Sequence, residues 1–410
     1  MPETTVTVLH AAGVLDIDTG DVIASGYVRV EGNRITAVGS DSSIADNADE
    51  VVELPELTLI PGLMDMEVDL VLGGVGAGLN DPVRTDPAKM TLRGAANAKR
   101  TLLAGFTTVR NLGLFVKTGG YLLDVALARA IDNGWIDGPR LVPAGHAITP
   151  TGGHLDPTMF QRLAPDIMPL SVEEGIANGV PEVRKAVRYQ IKYGARLIKI
   201  SASGGVMSHS GEAGAQQYSD EELEAIVDEA HRAGLRVAAH AHGDAGIRAC
   251  IRAGVDCIEH GSLASDDTIQ LMVEHGTFLV PTSYLSEGLD VSRAAPELQA
   301  KAAEVFPKAR AMLGKAIAAG VKIACGTDAP AIPHGDNAKE LWALVDRGMT
   351  PMQALRAATV MSAELIDVDD RGRLVAGLLA DIIAVPGDPS EDITMTQDVR
   401  FVMKGGKVYT

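Results

Sequence analysis

Between residues 61 and 368 the sequence alternates short apolar runs with stretches of helical period. This alternation is the strongest constraint on what the chain can become. The apolar runs begin near Met64, Phe106, Arg140, Leu197, Arg236, Asp256, Thr277 and Lys322. Strands separated by helix-length crossovers pair in parallel, because only a long connection returns the chain to the same end of a sheet. Eight such units is the number that closes a TIM-like (β/α)8 barrel, so the expected fold class is α/β. The helices between them carry end signals. Ser219-Asp220-Glu221-Glu222 reads as a capping box, followed by Leu223, Ile226, Val227 and Ala230 on one face and by Gly234 beyond it. Thr350-Pro351 reads as an N-cap with proline at the first helical position.

The two ends of the chain have a different texture. Thr5–Leu9, Gly26–Val30 and Arg34–Gly39 alternate like strands and are punctuated by Gly, Asn and Asp. Ala380–Val385 and Val399–Tyr409 do the same. Neither end is long enough for a core of its own. Residues 1–60 and 369–410 are therefore expected to form one composite β-sandwich domain beside a barrel of residues 61–368. A chain of 410 residues suits one large barrel with such a satellite. With only 4% aromatic residues, the core must be filled by Val, Ile, Leu and Ala.

Charge and composition exclude several partners. A net charge of −18 disfavours nucleic acid and anionic membranes, which leaves a small-molecule substrate. No apolar run reaches the ~18 residues of a membrane span. Cys250, Cys257 and Cys325 lie in apolar segments without metal-ligand spacing, as expected of reduced cysteines in a cytoplasmic protein. The first residues show no basic region or apolar run of a signal peptide. Leu72–Gly78 is glycine-rich but lacks the Gly-Lys-Ser/Thr ending of a phosphate loop, so it is expected to be a flexible loop over the barrel mouth.

The chemistry gathers where barrels keep it, at the C-terminal ends of strands. The first strand ends in Glu67 and Asp69, which alternation places on one face. The second ends in Arg110 and Asn111. Lys199 interrupts the apolar fourth run, His240 and His242 end the fifth, His260 ends the sixth and Asp328 ends the eighth. Singly, each has an ordinary explanation: a solvated strand end, a snorkelling lysine, a hydrogen-bonded histidine, a helix cap. Their joint convergence on one mouth is harder to explain in that way. Imidazoles and carboxylates suit a borderline cation such as zinc, beside which a carboxylate can move a proton.

These motifs resemble the amidohydrolase superfamily, in the branch of imidazolonepropionase, Xaa-Pro dipeptidases and related aryl-amide hydrolases. The resemblance spans the chain. It is carried by Pro61-Gly62-Leu63-Met64-Asp65, Gly105–Arg110, Thr151–His154, Ile198-Lys199-Ile200, His240-Ala241-His242-Gly243, Ile258–Gly261, Gly326–Ala329, His334–Asn337 and Gly377–Asp381. It implies an enzyme acting on C–N bonds of amides or dipeptide-like molecules, and a homo-oligomer. By this resemblance Lys199 matches a carboxylated, metal-bridging lysine. His240 and His260 match metal ligands, and Asp328 matches a metal ligand that also shuttles a proton. His154, Tyr218 and Arg110 fall where substrate contacts are expected, and His242 lies just behind the ligands as a further catalytic group.

One departure bears on all of this. The family's first strand ends His-x-His, whereas this chain has Glu67-Val68-Asp69. Three arrangements stay open. In the first, one zinc or other divalent ion sits on His240, His260 and Lys199. In the second, two ions use Glu67 and Asp69 as ligands. Or the site is metal-free, with an uncarboxylated Lys199 paired to Glu67 or Asp69. The expected activity is hydrolysis with a single ion and Asp328 as proton shuttle. The alternatives are a metal-independent lyase, dehydratase or cyclase using His240, His260, Lys199 and Asp328 for acid–base chemistry, and a non-catalytic binding relative.

Overall fold

A computed structural model of the protein describes residues 5–74, 81–159, 168–208, 212–292 and 294–409. The expectations for the first four residues and for Val75–Gly78 of the glycine-rich stretch lie outside these. Strands β1 (Val6–Leu15), β2 (Val22–Glu31), β3 (Arg34–Gly39) and β4 (Glu50–Pro61) open the chain. The barrel strands follow: β5 (Leu63–Val68), β6 (Phe106–Asn111), β7 (Arg140–Pro143), β8 (Ile198–Ser201), β9 (Val237–Ala241), β10 (Cys257–His260) and β11 (Phe278–Val280). Strands β12 (Ile382–Pro386), β13 (Phe401–Lys404) and β14 (Lys407–Val408) end it.

The terminal strands join in one seven-stranded sheet, ordered β14-β13-β12-β4-β1-β2-β3. Leu9, Val28 and Val30 from one end of that sheet share a core with Ile382, Phe401 and Met403 from the other. The two ends of the chain therefore share one sheet and one core. The Arg140 guanidinium grips Asp381 through two hydrogen bonds of 3.0 and 3.1 Å, fastening β7 to this domain.

The barrel strands form parallel sheets β5-β6-β7 and β8-β9-β10-β11. Parallel bridges at Ile148–Ile200, Leu279–Ile323 and Val68–Ala329 close the ring. The eighth stave, begun at Lys322, is not a continuous strand. It bonds alternately to both neighbours: Leu279 N donates to Lys322 O, Met66 N to Cys325 O and Asp328 N to Glu67 O, at 2.8, 2.8 and 2.7 Å. It departs from extended geometry at Asp328, whose φ is +58°. Gly326 permits the close approach, since a side chain there would strike Val280 and crowd the backbone of Glu67. The capping boxes at Ser219–Glu222 and Thr350–Gln353 are formed, and Gly234 adopts the left-handed conformation after its helix. The three cysteines are free and buried. Among the described residues, no helix is long and apolar enough to cross a membrane.

Candidate metal centre

Barrel geometry brings eight of the expected residues to one cavity of about 220 Å³: Glu67, Asp69, His154, Lys199, His240, His242, His260 and Asp328. Seven of them are buried and Asp328 is half-buried, so the solvated-end reading of Glu67 and Asp69 and the snorkelling reading of Lys199 fail. His240, His242 and His260 each offer a ring nitrogen within 4.8 Å of the others. The ring of His154 lies 4.1 Å from that of His240, in space that a side chain at Gly205 would take.

The surroundings prepare these imidazoles as ligands. Burial pushes the His240, His242 and His260 rings well below the usual histidine range, so all three are neutral at pH 7. His260 Nδ1 is 2.7 Å from Thr282 Oγ1, and that hydroxyl donates to Pro281 O. The hydroxyl hydrogen is thus committed, the ring donates from Nδ1, and the Nε2 lone pair faces the cavity. There it lies 3.7 Å from Glu67 Oε1, two acceptors that nothing but a cation or proton reconciles. His240 Nε2 is buried without a hydrogen-bond partner. Neutral rings, a fixed tautomer and an orphaned nitrogen fit a divalent ion on this triad. Replacing Thr282 with Ala frees the His260 tautomer, and metal affinity is expected to fall by about 10- to 100-fold. A chelator-competition titration measures this, and Thr282→Ser should restore it.

The carboxylates are forced toward their neutral forms. Burial, then the negative Glu67, raises Asp328 well above the usual carboxylate range. Burial raises Asp69 to about 7, and one of its oxygens has no partner. Burial also raises Glu67, against the opposing pull of Lys199. Lys199 Nζ donates to Glu67 Oε1 at 3.3 Å.

Two residues expected at the substrate lie elsewhere. Arg110 is turned into the barrel interior, donating to Met66 O at 2.7 Å and to Glu259 Oε1 at 2.9 Å. Its guanidinium is buried and does not line the cavity. Tyr218 is buried with its hydroxyl donating to Ala177 O, and it does not line the cavity. Other roles had no visible signal. Asp65 accepts from Thr327 N and Oγ1, from Asn337 Nδ2 and from Glu67 N, tying the first strand to the eighth stave that carries Asp328. Ser262 holds His242 Nδ1 at 2.9 Å. Phe115, Met159, Leu289 and Phe306 give the cavity lining an apolar part, whereas Asp81 is clamped by Arg93 at 2.7 and 3.0 Å.

A closed parallel barrel with neutral imidazoles and a buried, protonatable carboxyl at the C-terminal ends of its strands is the architecture of a metal-assisted hydrolase. The chain belongs to the amidohydrolase family, which it matches over residues 58–409. The ochratoxinase of Aspergillus niger is 36% identical, with 99% of this chain and 87% of that protein aligned. An Xaa-Pro dipeptidase crystallised with methionine in its active site superposes with a TM-score of 0.90 at 37% identity, covering 99% of this chain and 100% of the other. A prolidase complexed with N-methylphosphonate-L-proline does so with a TM-score of 0.89 at 33% identity, covering 99% of each chain.

Proposed function

We propose that this protein hydrolyses a C–N bond of a small amide or dipeptide-like molecule, using one divalent cation held by His240, His242 and His260. The observation that carries this reading is the neutral histidine triad, with its orphaned His240 nitrogen, in the cavity that Asp328 also lines. Zinc suits three imidazoles best. When bound, such an ion supplies Lewis-acid polarisation of a carbonyl and acidifies water. The relatives support the bond type, being an ochratoxinase, a dipeptidase and a prolidase.

The chain's own groups do the rest. Asp328 lines the same cavity; in its ionised form, which a cation on the triad would favour, it takes a proton from the attacking water and returns it to the leaving nitrogen. His154, held neutral by burial at about 3, has a partnerless Nδ1 with which to meet the substrate's polar atoms. The apolar lining contributed by Phe115, Met159, Leu289 and Phe306 disfavours water and receives a hydrophobic acyl or aryl group.

The test is hydrolysis of a panel of N-acyl amino acids and Xaa-Pro dipeptides in H₂¹⁸O. The expected products are an amine and a carboxylate carrying one ¹⁸O, with turnover lost on metal removal and restored by zinc. A product of unchanged mass, or one lighter by water, would instead identify a cyclase or dehydratase.

A further inference from the structure

The cavity wall carries a buried lysine set against a buried carboxyl group. Lys199 Nζ lies 3.3 Å from Glu67 Oε1, with the two side chains only 2% and 6% exposed. Both groups line the cavity yet are almost wholly withdrawn from water, so each gains from the other's charge. The nearest other cationic side chain in the interior, Arg110, is committed to Glu259. Asp69 and Asp328 face the same cavity. Carboxylation of Nζ would turn this lysine from a cation into an anion. The cavity would then hold that anion beside Glu67, Asp69 and Asp328. Anions crowded together repel strongly at low dielectric, so the adduct would form only if the neighbouring carboxyls held protons or a second cation came in with it. As an ammonium, Lys199 neutralises Glu67 and supplies it with a hydrogen bond. The triad of His240, His242 and His260 is complete without either residue.

We infer that Lys199 is kept as a free ammonium paired with Glu67, and that this ion pair takes the place of a second metal ion at the first-strand end of the site. The chain thus exchanges an exchangeable cation and a carbon dioxide adduct for a charge that is covalently its own. Glu67 is the positioning residue of the pair, holding Nζ toward the cavity that Asp328 also lines. This rests on the proposed function only for the identity of the site at the triad.

The test uses the full chain and two readouts independent of turnover. Protein loaded with excess zinc and desalted is analysed for metal, and protein equilibrated with ¹³C-bicarbonate is examined by ¹³C NMR. One ion per chain and no carbamate resonance are expected. The double variant Glu67→His/Asp69→His should rise to two ions per chain and gain the resonance. Two ions, or a carbamate resonance, in the unaltered protein would overturn the inference. If the unaltered protein shows one ion and no carbamate yet cleaves no amide, the hydrolase assignment fails and the ion pair stands.

Discussion

Asp328→Asn is expected to lower kcat by about 10³-fold with little change in KM, which is the scale of losing a positioned acid–base group. The substitution is well suited to isolate that role. Asp328 sits at a φ of +58°, a conformation that asparagine tolerates better than almost any other side chain. Its backbone N–H donates to Glu67 O at 2.7 Å, a bond that an amide side chain leaves intact. Asparagine also has nearly the shape of the protonated acid that burial and Glu67 favour. The fold should therefore survive, and stability should improve on the alkaline side. A carboxyl whose folded pKa is raised binds more protons folded than unfolded, so its contribution falls as pH climbs from its unfolded value toward its folded one. Removing it removes that slope. Ion content should be unchanged, because the triad holds the ion. Steady-state kinetics, metal analysis and melting curves at pH 6 and 9 check the three statements together. A loss in kcat of less than tenfold would remove Asp328 from the proton transfer.

The barrel was readable because its staves are β-rich runs separated by capped helices, a pattern written locally. Seven of the expected strand starts fall within a residue or so of the observed ones, from Leu63 to Phe278. The eighth does not, since the left-handed backbone at Asp328 serves the site rather than the sheet. The convergence of Glu67, Lys199, His240, His260 and Asp328 was readable from one rule, that strand ends of a barrel share a mouth. Depth was not readable. Alternation states which side of a strand Arg110 occupies, but not whether its long side chain reaches the mouth or turns inward to Glu259, nearly 150 residues away in the chain. Tyr218 fails for a similar reason, its hydroxyl being claimed by Ala177 across a distance no periodicity encodes. Ser262 and Thr282 are common residue types whose importance lies in the histidine nitrogen each touches. The 3.3 Å contact between Lys199 and Glu67 is likewise a side-chain distance, which strand alternation allows but does not specify.

Arg110→Met is expected to destabilise the protein by about 3–5 kcal/mol, the cost of stranding one partner of a buried ion pair. Arg110 is 2% exposed, and its partner Glu259 is fully buried with one oxygen already unpaired. Without the guanidinium, Glu259 keeps its Arg110-facing oxygen dry and empty as well, and Met66 O loses its donor. The deficit should depend on pH. Burial already raises Glu259 to about 7 while Arg110 pulls it down, so the variant's carboxyl rises further. Protonated, it is tolerated; ionised, it is not. Stability of the variant should therefore be closest to that of the parent near pH 5 and fall away progressively toward pH 8. Glu259→Leu added to Arg110→Met should recover most of the loss, because two apolar side chains leave no buried charge without a partner. Denaturant unfolding of the single and double variants at both pH values measures each term. The same experiment separates the two roles considered for this residue. An arginine that recognised a substrate carboxylate would raise KM when replaced and leave unfolding nearly untouched. The hydrogen bonds to Met66 and Glu259 require the reverse, because they place the guanidinium inside the wall that supports Glu67 rather than in the cavity that Glu67 faces.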